Sequence, residues 1–523
     1  MGPPALTPHI EPSLYHWRAS TKKPNLYLRR ALGPETIWAH KASGRRQMFL
    51  NGSFTLIGPY STLSLDTFGK AAERAWLRVR CEFPEVALEP SSEQGEDGSI
   101  LLELKIPVSE RETRDWMRRS LFLGTCVEGK SAEEEMRQAV IRDPVCVRLN
   151  ARVDQDSKVF GAEFAFRVDH LTADGVGAYI VTACFLKFLA NAVSGREETF
   201  DWEAWKETLP TPWVGMMNTH QRTEGKEFEE GVKKTTNLVM EASVCVFPTN
   251  KWGFGLTYGA QKSEWGMAVL SEEEYMPKAI HKRFSVEESN AILLAVKEQI
   301  GEACSVTQLG HAAMVMTMLR FKPVQERPTH GAQLVSPLFI NGRRFLDQRF
   351  PRSQNYISMC RAISAIGFRN VESYILSDNG SKEEVHGKLK LACAEAFRSY
   401  QAVRDQKSIL TESFSMAEHI AQAKNDLKAF KGKETADAFF LSDGIIEKYI
   451  SNSYCDETQI HKVLEVDGVQ FTANPDGPPL IIRMSTFRQA MNLSAEWNGA
   501  CYMDEDIRKF LDSVADMMLS LIT

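Results

Sequence analysis

The chain has 523 residues, 43% of them hydrophobic, and a formal net charge of −6. That length suits two large domains or a few smaller ones, and the apolar content can fill substantial cores. The acidic balance argues against nucleic acid as a main partner. The ten cysteines are spread so that no two lie within three residues of each other. This is neither a zinc-site spacing nor a small disulfide framework, and a reducing, cytoplasmic setting is the expectation. Residues 1–12 carry prolines and no apolar run of signal length. The longest apolar run, 176–193, is interrupted by Lys187 and Asn191. It reads as a core helix rather than a membrane span, and no membrane partner is expected.

In chain order, 65–79 reads as an amphipathic helix with Phe68, Ala71, Ala72, Ala75 and Trp76 on one side. Residues 99–106 and 145–152 read as strands. A third strand has Phe160, Ala162, Phe164, Phe166 and Val168 at every second position. It is followed by His170-Leu171-Thr172-Ala173-Asp174-Gly175 and then by the apolar helix beginning at Val176. From 195 to 278 the pattern decays: prolines punctuate it, charges cluster at 224–234, and tryptophans are frequent. Connections this long are usually functional or join domains.

Regular periodicity returns at Ala279. Ser285 with Glu288 three residues on reads as a capping box. Helices are expected at 305–320, 381–402 and 504–519, and strands at 333–340, 444–452, 480–484 and 489–497. The pattern predicts two similar-sized mixed α/β halves. These are an N-terminal domain over 1–215 that carries His170, a crossover over 216–279, and a C-terminal domain over 280–523.

The six residues from His170 to Gly175 carry most of the chemical signal. A histidine is delivered at the end of a buried strand, and an acid and a glycine open the next helix. Such geometry can place an imidazole in a cleft while a carboxylate fixes the backbone around it. Two blander readings compete. One is a buried strand-end histidine with Asp174 as a helix N-cap. The other is a metal pair, but no third or fourth ligand lies nearby, and no metal is expected.

His-x-x-x-Asp-Gly after a buried strand resembles the acyltransferase superfamily of chloramphenicol acetyltransferase, the BAHD plant acyltransferases and nonribosomal condensation domains. The helix at 65–79 with Phe83-Pro84-Glu85 after it resembles that superfamily's first long helix. Phe339-Ile340-Asn341-Gly342-Arg343-Arg344 resembles its strand ending in Asn/Asp-x-Arg, and Ile450-Ser451-Asn452-Ser453-Tyr454 its late tunnel-lining strand. One departure is clear. The plant enzymes carry Asp-Phe-Gly-Trp-Gly where this chain has Val466-Asp467-Gly468-Val469, without the tryptophan. The whole chain, including Asn492-Leu493-Ser494-Ala495-Glu496-Trp497-Asn498, is more similar to the fungal trichothecene 15-O-acetyltransferases.

The resemblance implies two chloramphenicol-acetyltransferase-like domains of mixed sheet flanked by helices, with a tunnel between them, in a monomer. It implies transfer of an acetyl group from acetyl-CoA, as co-substrate, to a hydroxyl of a terpenoid alcohol. His170 would be the general base in a ternary complex without an acyl-enzyme, in keeping with the lack of a Gly-x-Ser-x-Gly elbow. Asp174 would hold the loop by pairing with an arginine, here Arg343, which could equally be a solvated strand-end residue. Gly175 would let the helix N-terminus approach closely. Ser453 could contact the intermediate or be an ordinary strand residue. Trp213, Trp252 and Tyr258 could line the acceptor pocket or simply pack. A standalone condensation-type enzyme using a carrier-bound thioester, an acyltransferase for another secondary-metabolite alcohol, and a non-catalytic binding protein on the same scaffold are the alternatives.

Overall fold

The computed structural model describes residues 10–39, 43–196, 209–242, 261–262, 268–269, 275–321, 331–377, 380–422, 438–456, 461–475 and 479–522. The largest sheet runs β16 (Ser453–Cys455), β17 (Lys462–Ala473), β3 (Gln47–Leu56), β9 (Lys158–Asp169), β8 (Val145–Val153) and β7 (Leu121–Thr125), with the short β4 (Leu63–Ser64) against the start of β9. A second sheet orders β12 (Pro277–Arg283), β19 (Ala490–Asn498), β18 (Ile481–Phe487) and β15 (Phe439–Ile445). Strands β13 (Gln333–Asn341) and β14 (Arg361–Arg369) form an antiparallel ribbon. A small sheet near the start contains β1 (Arg18–Ala19), β2 (Leu26–Arg30), β6 (Ile100–Lys105) and β5 (Leu88–Gln94). In the connection, β10 (Gln261–Lys262) pairs with β11 (Ala268–Val269). The helices are α1 (Pro34–Ala39), α2 (Leu65–Glu82), α3 (Glu110–Ser120), α4 (Ala132–Gln138), α5 (Gly175–Val193), α6 (Lys226–Ala242), α7 (Val286–Ala295), α8 (Val306–Phe321), α9 (Lys382–Arg404), α10 (Ile409–Gln422) and α11 (Asp504–Leu519). The fold is thus mixed α/β.

Strand β9 is central in the largest sheet, paired antiparallel with β3 on one side and β8 on the other. Its alternation divides two faces. Phe164, Phe166 and Val168 pack under α2 and α5, where Trp76 meets Phe166 and Phe185 edge-on. Ala165, on the opposite face, packs with Phe49, Cys146 and Met136 of α4. Each large apolar side chain so buried is worth about 1.5–3 kcal/mol. Phe160 departs from the expected face. The β8–β9 register shifts at Val153, which pairs with Val159 while Arg152 pairs with Gly161, so Phe160 is bulged out and Val159 is buried instead. Helix α5 is long and apolar enough to cross a membrane by composition, but it packs on α2 and the sheet as a core helix.

The chain after 280 does not stay apart from the first sheet. Residues 464–473 of β17 lie antiparallel to residues 48–56 of β3, and β16 adds outside β17. The expected boundary at 280 is therefore crossed by strands that fill the free edge of β3. The rest of this half forms the second sheet, with α8 and α11 beside it and the β13–β14 ribbon against α9 and α10. The strand expected at 444–452 is broken. β15 ends at Ile445 after an irregularity between Ser442 and Gly444, where Gly444 takes φ +71°, and a 3₁₀ turn follows at Ile446–Lys448.

Phe471 of β17 shows how tightly this crossing is packed. It is 5% exposed, stacks near Tyr179 of α5 and lies under the Arg483 guanidinium at 4.5 Å. Phe471→Ala is expected to lower unfolding stability by about 3–5 kcal/mol in chemical denaturation.

Candidate active site

His170 follows β9 directly, and its surroundings leave the loop little freedom. The Asp169 carboxylate accepts from Arg46 Nη2 at 2.7 Å and from the Leu171 amide at 2.9 Å. The amides of Thr172 and Ala173 both point back to the Asp169 carbonyl, and Thr172 Oγ1 donates to the Leu88 carbonyl at 3.2 Å. Leu171 is buried with Ala31, Leu88 and Leu102, so the small N-terminal sheet supports the loop from beneath.

The imidazole is half-buried against the Trp38 ring, with centroids 4.3 Å apart. Its Nδ1 lies 3.0 Å from the Ala173 carbonyl oxygen, which can only accept, so Nδ1 carries the hydrogen. Nε2 then holds the lone pair, and it faces Nη1 of Arg361, a donor, at 3.1 Å. Burial, and after it the Arg361 charge, push the His170 pKa down to about 3. The ring is neutral at pH 7 and offers one basic nitrogen.

Asp174 turns away from that nitrogen. Its Oδ1 accepts from the Gly177 amide at 2.8 Å and caps α5, while Oδ2 accepts from the Cys360 amide at 3.0 Å. Arg343 closes on both oxygens in a fork, Nη2 to Oδ1 at 2.9 Å and Nη1 to Oδ2 at 3.0 Å. Both side chains are buried, and Arg343 also donates to the carbonyls of Tyr356, Ile357 and Ser358. Burial alone would raise the Asp174 carboxyl. The Arg343 charge and the hydrogen bonds outweigh it and hold it below its ordinary value. A saturated, ionised acid of this kind orients the loop and is not a second base.

The remaining expected residues divide. The close approach expected at Gly175 falls two residues later. A side-chain carbon on Gly175 would meet Phe471 at an ordinary 3.6 Å, whereas one on Gly177 would come within 1.9 Å of the Ile357 carbonyl oxygen. Ser453 is not brought to His170. It pairs with Glu465, which lies opposite Thr55, which lies opposite Gly161. That path is three strand spacings sideways, and Gly161 precedes His170 by nine residues, so the separation is on the order of 30 Å. Trp213 is a core residue, 1% exposed and edge-on to Phe414 at 5.4 Å. Trp252 and Tyr258 lie outside the described residues. Sequence reasoning missed Arg361, Trp38 and Arg46, which come to His170 and its neighbour Asp169 from distant parts of the chain.

The mixed α/β frame, with a neutral histidine at the end of its central strand beside a buried acid–arginine pair, is the chloramphenicol acetyltransferase-like fold of acyltransferases. The family model for the 15-O-acetyltransferase Tri3 matches residues 6–421, and the chain belongs to that family. The trichothecene 15-O-acetyltransferase TRI3 of Fusarium sporotrichioides is 24% identical, with 98% of each chain covered. Its solved structure matches with a TM-score of 0.81 over 98% of this chain and 99% of that one. The trichothecene O-acetyltransferase TRI3 of Trichoderma arundinaceum is also 24% identical, covering 98% of each chain. The condensation domain of the monacolin K polyketide synthase MokA shares the fold, with a TM-score of 0.54 at 12% identity over 94% of this chain and 96% of that one.

Two substitutions test the anchor. Asp174→Asn leaves Arg343 buried without its counter-charge and is expected to cost about 3–5 kcal/mol in unfolding stability. Asp174 binds its proton more weakly folded than unfolded. Its contribution is therefore present above the ordinary carboxyl value of 3.8 and lost as pH falls through the lower folded value. Acid unfolding of the variant, followed by circular dichroism, is expected to be correspondingly less steep below about pH 4. Gly177→Ala must push α5 off the 356–360 segment, with loss of both stability and turnover; unchanged melting and activity would contradict this packing.

Proposed function

We propose that this enzyme transfers the acetyl group of acetyl-CoA to a hydroxyl of a trichothecene, the C-15 hydroxyl, with His170 as general base. The observation that carries this reading is the locked imidazole: Nδ1–H is held by the Ala173 carbonyl, and Nε2 is unprotonated at physiological pH. The names of the relatives support the acyl group and the acceptor class.

An alcohol is a poor nucleophile until its proton is taken as the new bond forms. In this reading Nε2 accepts the hydroxyl proton while the oxygen attacks the thioester carbonyl carbon. The tetrahedral intermediate collapses by breaking the carbon–sulfur bond, and the departing thiolate takes the proton back from Nε2. The acetyl ester and free CoA leave, and no group on the protein is acylated. The Ala173 carbonyl, bonded to Nδ1–H, steadies the imidazolium that forms in between. Donor and acceptor would enter by a tunnel between two domain-like halves, with residues 216–279 as the crossover.

The direct test is free-thiol release from acetyl-CoA with trichothecenes bearing or lacking a free C-15 hydroxyl. Turnover is expected only when that hydroxyl is free, and His170→Ala is expected to lose about 10²–10⁴-fold in kcat. Turnover only with a carrier-bound thioester would indicate a condensation-type enzyme instead. The pH dependence is a second check. The base works deprotonated, so activity falls as pH drops through its pKa. With that value held near 3, kcat/KM should show no acid limb at the ordinary histidine value of 6.5.

A further inference from the structure

Arg361 is the first residue of β14, opposite Asn341 of β13. Its position follows from the anchor, because the preceding residue, Cys360, is tied by its amide to Asp174. The guanidinium lies between two aromatic faces, 4.9 Å from the Phe339 centroid and 5.8 Å from that of Trp38. Its hydrogen bond goes from Nη1 to Nε2 of His170. Nε is buried and has no hydrogen-bond partner, and among the described residues no carboxylate pairs with the group. Asp174, the acid whose charge acts on it, is saturated by Arg343. Burial pushes the Arg361 pKa down to about 10, so it is still a cation at pH 7.

A half-buried cation without a counter-ion is costly, and a cation on the lone pair of a base opposes the very protonation the base must undergo. Both difficulties vanish if an anion forms beside the guanidinium during the reaction. Building on the acetyl-transfer reading above, we propose that Arg361 is a further catalytic residue. It caps Nε2 of His170 in the resting enzyme and moves its hydrogen bond to the thioester carbonyl oxygen when both substrates are bound. As the alcohol oxygen bonds to the carbonyl carbon, the carbonyl π pair becomes the oxyanion, and Arg361 donates to it. The hydroxyl proton passes to the Nε2 that Arg361 has vacated. On collapse the electron pair returns, the thiolate leaves with that proton, and Arg361 returns to Nε2. Arg343 cannot serve in this way, because its donors are occupied by Asp174 and three backbone carbonyls.

The experiment compares steady-state kinetics of Arg361→Met, Arg361→Lys and Arg361→Ala with wild type and His170→Ala, each checked for folding by thermal melting. Arg361→Met is expected to lose about 10²–10³-fold in kcat with KM for both substrates within about threefold, as for loss of an oxyanion donor. Its acid limb should move upward, because the cation that opposed imidazolium formation is gone. Arg361→Lys should retain part of the rate. Millimolar guanidinium should restore part of the activity of Arg361→Ala and none of His170→Ala. Should Arg361→Met fail to fold, the lysine variant and guanidinium rescue decide the matter. A kcat within threefold of wild type, or a loss confined to KM with no rescue, overturns the proposal. If His170→Ala is as active as wild type, the general-base reading itself fails, whatever Arg361 does.

Discussion

The ion pair between Asp174 and Arg343 is the constraint on which the site depends. It joins three separate parts of the chain: the loop after β9, the segment 356–360, and the turn that follows β13. A buried carboxylate or guanidinium alone would be strongly unfavourable, and the pair is tolerable because nearly every donor and acceptor is satisfied. The arginine fork takes both oxygens, the amides of Gly177 and Cys360 take the remaining lone pairs, and three carbonyls absorb the other guanidinium hydrogens. Such a cluster has one good geometry. It fixes where α5 begins, and therefore how the four residues between Asp169 and Asp174 must turn. The direction of the imidazole is a consequence of that turn.

The same logic extends outward through α5. Tyr179, one turn beyond Gly175, donates to Asp443 of β15 at 2.9 Å. Asp443 is paired with Arg483, which is paired in turn with Glu496, and Glu496 accepts from the Ala473 amide of β17. Tyr179 also stacks on Tyr449, whose hydroxyl accepts from Asn341, the residue that caps the turn holding Arg343. Polar contacts thus run from the anchor across α5 into the second sheet and back to the edge of the first. Because β17, from the same half of the chain as the second sheet, also fills that edge, the two sheets are tied by a polar network and by the chain itself. Rigid elements of this kind suit a reaction that needs atoms held to within fractions of an ångström.

How much of this was legible in the sequence depended on whether local pattern or distant partners set each feature. Helices α2, α5 and α11 and strands β8 and β19 follow from periodicity, and the Ser285–Glu288 capping box forms as the spacing predicts. Strand β14 does not show itself. Its residues Ala362, Ser364, Ala365 and Gly367 are small and blur the apolar alternation, although it packs against α9 and α10. Helix α10 hides its apolar stripe because Thr411, Glu412, Ser413 and Ser415 are buried in it, Ser413 bonding both to the carbonyl and to the amide of Ile363 in β14. In the site, His170 and Asp174 stand out because only three residues separate them, between a strand pattern and a helix pattern. Arg343 could be matched by resemblance. Arg361, Trp38 and Arg46 carry no local signal, since only the folded chain places them within reach of His170.

The contrast between the two arginines shows how one local field can serve two purposes. The two guanidinium groups lie at the same end of one ribbon, Arg361 opening β14 opposite Asn341 and Arg343 in the turn that follows β13. Arg343 has a full complement of acceptors, and its charge is spent holding Asp174 ionised. Arg361 has the imidazole as its hydrogen-bond partner, and its charge lies at the Nε2 edge of that ring, near two aromatic faces whose quadrupoles favour a cation. Aromatic faces attract a cation less strongly than a carboxylate does, and they leave its donors free. A carboxylate in the place of Phe339 would satisfy Arg361 and silence it. Apolar walls instead leave a positive field aimed at the one basic nitrogen of the site. Burial first, and that field after it, keep His170 neutral at rest, and in the proposed reaction the same field is complementary to a negative charge that appears only when substrate bonds are being made.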